Sequence, residues 1–152
     1  MSDNIVNVPS FLDEDLSKVD TNMPVIQGPI TEEVEVQSIE LAKSKEGSMD
    51  MVKITVKTLR DLPSTKKQII NAGFPLYGNI SITPLLGREG KKDRTEEMIK
   101  RDVARFVQAC GENGGLQPLT RFVGKRCLIE ITIRPKEGKW AETNDIQFIK
   151  RG

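Results

Sequence analysis

Thr31-Glu32-Glu33-Val34-Glu35-Val36-Gln37-Ser38-Ile39-Glu40-Leu41 alternates polar and apolar residues with a single slip, and Met49-Asp50-Met51-Val52-Lys53-Ile54-Thr55-Val56-Lys57 alternates almost without error. Alternation of period two marks a strand with one buried and one solvated face. Between the runs lies Lys43-Ser44-Lys45-Glu46-Gly47-Ser48, where Gly47 can take the positive φ that a hairpin connection needs. Residues 30–59 therefore read as a two-stranded ribbon that hides one face and shows Lys53, Thr55 and Lys57 on the other. The slip near Ser38 reads as a β-bulge that curls the first strand. Such a ribbon is half of a small barrel with a basic outer wall.

Downstream, Asp61-Leu62-Pro63-Ser64-Thr65-Lys66-Lys67 is a polar break, and residues 67–72 read as a short helical piece or loop. Leu76-Tyr77-Gly78-Asn79-Ile80-Ser81-Ile82-Thr83 alternates again, with Tyr77, Asn79 and Ser81 on one side and Ile80 and Ile82 on the other. Gly87-Arg88-Glu89-Gly90-Lys91-Lys92 is a basic loop. Residues 94–110 follow as a helix, with Asp93 and Glu96 at capping-box spacing and Gly111 placed to end it. Its apolar stripe is Ile99, Val103, Phe106 and Cys110. Residues 124–134 and 143–150 give the fourth and fifth strands. Three strands, a helix and two strands, in that order, specify a mainly β chain of the OB-fold type, a five-stranded Greek-key barrel with its helix between the third and fourth strands.

The chain of 152 residues is sized for one domain with a modest core. Residues 1–28 read as an acidic, flexible N-terminal arm and residues 29–152 as the OB-fold nucleic-acid-binding domain. Pro9, Pro24 and Pro29 interrupt the arm, and Ser10 could cap a turn in which Phe11, Leu12 and Leu16 share a face. The net charge of +1 conceals a split. Residues 1–42 hold nine acids against Lys18 alone, and residues 43–152 hold 22 bases against 13 acids. An acidic tail on a basic body suits a protein that meets polyanions.

Several chemistries are excluded or disfavoured. With no histidine there is no Ser-His-Asp or Cys-His centre, and the well separated Cys110 and Cys127 make no zinc motif. They read as buried thiols in a reducing compartment. Residues 87–92 lack the four-residue gap and the Ser/Thr of a P-loop. We expect no enzyme activity and no cofactor. No apolar run approaches membrane-spanning length and Met-Ser-Asp-Asn-Ile is no signal peptide, so the expected location is the cytoplasm of the host cell.

Two stretches resemble a family of phage-encoded OB-fold single-stranded DNA-binding proteins of replication and recombination clusters. The first is Glu40-Leu41-Ala42-Lys43-Ser44-Lys45-Glu46-Gly47-Ser48-Met49-Asp50-Met51-Val52-Lys53-Ile54-Thr55-Val56, with the family's Lys-Ser-Lys-x-Gly turn and Met-rich second strand. The second is Phe122-Val123-Gly124-Lys125-Arg126-Cys127-Leu128-Ile129-Glu130-Ile131, similar to its lead into the fourth strand. Asn144-Asp145-Ile146-Gln147-Phe148-Ile149 resembles its closing strand. The resemblance covers about half the chain and implies coating of single-stranded DNA during phage DNA replication and recombination, without catalysis. The chain departs from the acidic C-terminal tail of many such proteins, because it ends in Lys150-Arg151-Gly152 and carries its acids at the N-terminus.

Sequence-tolerant binding of single strands needs cations along the phosphates and flat side chains under the bases. The candidate cations are Lys43, Lys45, Lys53, Lys57 and Arg60 on the ribbon, Arg88, Lys91, Lys92 and Arg94 at the loop, and Arg134, Lys136 and Lys139 at the far edge. Of the seven aromatics, Phe106 and Phe148 lie in apolar patterns and belong to the core and Phe122 packs where the fourth strand begins; the stacking candidates are Tyr77, in the third strand, and Trp140, in the loop joining the fourth and fifth. The expected ligand is single-stranded DNA, with RNA left open because no residue pattern reads a 2′-hydroxyl. Affinity should fall steeply as salt rises. The alternative is a protein-interaction module whose acidic arm binds a host, replication or recombination protein, or folds over its own DNA site. The ribbon edges could also pair between chains into a homo-oligomer.

Overall fold

The computed structural model describes residues 9–18, 24–44, 47, 49–135 and 142–150. It is mainly β, with one antiparallel five-stranded sheet, a small second hairpin and one α-helix. Strands β1 (Ile30–Lys43) and β2 (Asp50–Thr58) form the expected ribbon, in register from Lys43 opposite Asp50 to Val34 opposite Thr58. The ladder slips between Val36 and Ser38, leaving Gln37 as the extra residue of a bulge at the anticipated place. Gly47 has φ +70°, as the turn requires.

The sheet is completed by β5 (Pro75–Ser81) beside β2, β6 (Arg126–Arg134) beside the first half of β1, and β7 (Thr143–Ile149) beside β6. Strand order is β5-β2-β1-β6-β7. Inward side chains are the alternating apolar set: Val34 and Val36, Val52, Ile54 and Val56, Leu76 and Ile80, Cys127, Ile129 and Ile131. The sheet curls until its edges approach. A Cβ built on Gly78 of β5 would lie 3.2 Å from both Ile146 and Phe148 of β7. Neither edge strand is laddered to the other, so the body is barrel-like and its seam is made by side chains.

Helix α1 (Glu96–Ala109) packs against β7, β5 and β6. Its cap differs from the expected capping box. Thr95 is the N-cap and its hydroxyl accepts from Met98 N at 3.3 Å, whereas Asp93 accepts from Gly87 N at 3.0 Å and pins the preceding loop. Phe106, fully buried, meets Phe122 at 5.1 Å and Phe148 at 4.9 Å between ring centres, the latter nearly edge-on. Gly111, at φ +72°, ends the helix as expected. No helix among the described residues is long and apolar enough to cross a membrane.

A hairpin of β3 (Leu62–Pro63) and β4 (Ile69–Ile70) adds Leu62 and Ile70 to the core, where sequence suggested helix or loop. Branched Ile69 and Ile70 favour strand, and the Ser64 hydroxyl, with its one proton within reach of the carbonyls of both Lys66 and Gln68, draws the intervening turn tight. The packed body also takes in Val25 and Ile26, which sequence assigned to the arm. Ile26 is fully buried, and the Asn144 side chain accepts from its N–H at 2.8 Å and donates to its C=O at 3.0 Å. Gln27 N donates to Pro63 O and Thr65 N to Val25 O, so this segment borders the small hairpin.

Gly78 is the tightest point of the seam, and filling it should separate the edges. Gly78→Val is expected to lower unfolding free energy by about 1–3 kcal/mol, the range for overpacking a filled interior. A urea melt with an unchanged midpoint would show that the seam is not packed.

Candidate nucleic-acid interface

Alternation sets Met51, Lys53, Thr55 and Lys57 of β2 outward, next to Pro75, Tyr77, Asn79 and Ser81 of β5. The register places Thr55 directly opposite Tyr77, Lys53 opposite Asn79 and Lys57 opposite Pro75. Tyr77 therefore has a lysine diagonally on each side, roughly 7–8 Å away by sheet geometry. Its side chain is 67% exposed in the middle of a polar face. Buried Thr58 fixes the approach to this strand: its N–H donates to Phe74 O at 3.0 Å and its hydroxyl accepts from Phe74 N at 3.1 Å.

The wall is not the uniformly basic surface that β2 suggested. On the neighbouring strand Glu40 stands opposite Lys53 and Glu35 opposite Lys57, with Lys57 Nζ 3.2 Å from Glu35. Lys43 pairs with Asp50 at 2.9 Å, and Arg134 grips Asp145 with two contacts of 3.0 and 2.9 Å. These are exposed pairs of the kind that contribute about 0–1 kcal/mol, so a phosphate can compete for each cation.

Arg60 is spent elsewhere. It forks onto the carboxylate of Glu32, with Nε 2.9 Å from Oε2 and Nη2 also bonded to Oε1. Glu32 is the inward residue of β1 at that end and is 7% exposed. The ion pair raises the guanidinium pKa further above its ordinary value, through the hydrogen bond to Glu32 first. Arg60 is thus a lid on a buried acid and leaves the candidate site.

The two ends of the β2–β5 strip differ. At the Ser81 end, Ile82 N donates to Asp50 O and Asp50 N to the Thr83 hydroxyl, so the loop after β5 leaves beside the start of β2. This loop offers exposed Lys91 and Lys92, while Arg88 is turned back onto the Lys92 carbonyl at 2.8 Å. Arg94 is likewise structural, bonding Ser81 O and pairing with Asp102.

At the Pro75 end lies a groove of about 400 Å³ between the starts of β5 and β7, walled by Pro24, Val25, Phe74, Pro75, Tyr77 and Glu142. Sequence reasoning missed Pro24, Pro75 and Glu142. Pro75 shares Tyr77's face by simple alternation, but no pattern pointed to Glu142. Lys45, Lys136, Lys139 and Trp140 fall outside the described residues. Of the expected site, the structure brings Lys53, Lys57 and Tyr77 onto one strip.

No family model and no curated protein matches the chain. Among the described residues no cluster of His, Cys, Asp or Glu is arranged to hold a metal ion.

Removing one partner of the Arg60–Glu32 pair strands a buried charge, whereas removing both does not. Arg60→Ala should lower the melting temperature, and Glu32→Met combined with Arg60→Ala should melt above the single variant. Equal melting of the two would deny the pair its capping role.

Proposed function

We propose that the chain binds single-stranded DNA along the outer face of β2 and β5, as an OB-type barrel that coats strands in phage replication and recombination. Support for the OB reading comes from the strand order, from α1 lying between β5 and β6, and from the bulge that lets β1 serve two neighbours. In that fold the second and third strands and the loops flanking them form the nucleic-acid face. Here those strands are β2 and β5.

The observation that carries the reading is Tyr77. An aromatic ring two-thirds exposed on a strand, with Lys53 and Lys57 diagonal to it and an open groove beside it, is a stacking platform with phosphate partners at hand. Bases stack on the ring and backbone phosphates take up lysines that now face Glu35 and Glu40. Because those acids must be displaced or tolerated, the charge term is smaller than the count of lysines suggests. The binding step involves no bond making or breaking.

Labelled oligonucleotides titrated by fluorescence anisotropy test this. Tyr77→Ala should cost ~1–3 kcal/mol of affinity. With two or three phosphates neutralised, the plot of log affinity against log salt should slope roughly −1.4 to −2.1. Duplex DNA binding as well as the single strand, or an unaltered affinity in Tyr77→Ala, would sink the assignment.

A second reading rests on the arm. Phe11, Leu12 and Leu16 are each at least half exposed and lie beside Asp13, Glu14 and Asp15. Such a segment suits a basic groove on a replication or recombination protein. Deleting residues 1–18 keeps the packed Val25 and Ile26 and separates the cases. Tighter DNA binding would indicate an arm that competes with DNA, and unchanged binding an arm that serves another protein.

A further inference from the structure

The groove beside Tyr77 has a chemistry of its own. Its walls are mostly apolar, and its volume of about 400 Å³ falls in the range of small-molecule sites. Glu142 is the one charged residue among the described side chains that line it. The nearby Asn144 amide is committed, since it bonds both backbone groups of Ile26 and donates to Thr132 O at 3.2 Å. Beside the Tyr77 and Thr143 hydroxyls, which can donate or accept, the Glu142 carboxylate is the acceptor-only group among the described lining side chains. The Thr65 hydroxyl donates to its Oε1 at 3.4 Å and orients it, leaving most of its acceptor capacity open.

A carboxylate repels a phosphodiester, so a nucleotide meets this groove base first, with its phosphates left toward Lys57 and Lys53. We infer that the groove holds one unstacked base of a bound single strand and that Glu142 selects guanine over thymine; this rests on the DNA-binding reading above. Guanine carries N1–H and the N2 amino group side by side, a pair of donors that matches the two oxygens of a carboxylate. Thymine offers one N–H between two carbonyl oxygens, both of which the carboxylate repels. Tyr77 on one wall supplies the stacking surface that every base can use, so the preference comes from the acid alone.

The test uses the full chain and thymidine oligonucleotides in which one internal residue is guanine or inosine. Inosine keeps the N1–H, O6 and N7 of guanine and lacks the 2-amino group. The guanine strand should bind at least about fivefold tighter than the all-thymine strand, the lower bound for a bidentate base contact. Inosine should lose part of that gain, and Glu142→Ala should bring the guanine-to-thymine ratio toward one. Full retention of the gain by inosine would place the contact on the other base edge and overturn the inference. So would a ratio of one in the native protein that still binds thymine strands, an outcome that leaves the DNA-binding reading intact. Failure to bind any strand overturns both.

Discussion

Strand β1 has to satisfy two neighbours that lie in different directions, and the bulge at Gln37 is how it does so. Its first half exchanges hydrogen bonds with β6 from Ile30 to Glu35, and residues 34–43 run along β2. A straight strand with unbroken alternation would hold both partners in one gently twisted plane. The extra residue bends β1, increases local twist and lets the sheet curl. Val36 and Lys125 illustrate the point of divergence: Val36 N donates to Lys125 O, and Gly124 N donates to Val36 O, beyond the end of the regular β6 ladder. The inward Val, Ile and Phe side chains then gather into one core, to which α1 adds Phe106 and Val107 and the β3–β4 hairpin adds Leu62 and Ile70.

That curling also explains why the candidate interface could be read only in part from residue order. The alternation of 49–57 and 76–83 told which residues point outward, and it put Lys53, Thr55, Tyr77 and Asn79 on solvent-facing positions. The slip at Ser38 marked the bulge, and the apolar settings of Phe106 and Phe148 marked two of the three rings of the aromatic core. Those features are local, so sequence carries them. Register is not local. That Lys57 meets Glu35, that Lys53 meets Glu40 and that Arg60 folds over Glu32 depends on how strands separated by many residues come together. The contribution of Pro24 and Glu142 to one groove depends on the meeting of the chain's two extremes. Asp93 lost the helix cap to Thr95, two residues on, because its carboxylate found Gly87 N instead.

Charge balance on the outer wall changes how ligand recognition would be divided. A wall of unopposed lysines attracts any polyanion at a distance and has little means of telling one from another. Lysines set against glutamates weaken that long-range pull and leave discrimination to shape and stacking at close range. Asp13, Glu14 and Asp15 of the arm lie on the same chain, outside the sheet, and add to the negative side of the balance.

The seam between β5 and β7 has a consequence of a different kind. Everywhere else in the sheet, neighbouring strands are held by backbone ladders, which break only when several hydrogen bonds are given up together. Between β5 and β7 the Ile146 and Phe148 side chains lie against the Gly78 backbone with no ladder, and dispersion between such atoms fades within an ångström of separation. Amides along the facing edges of these two strands have no ladder partner to shield them from solvent exchange. The four backbone pairings of the sheet stop at β5 and β7, and across these edges packing, including that of α1 against both strands, stands where a ladder would.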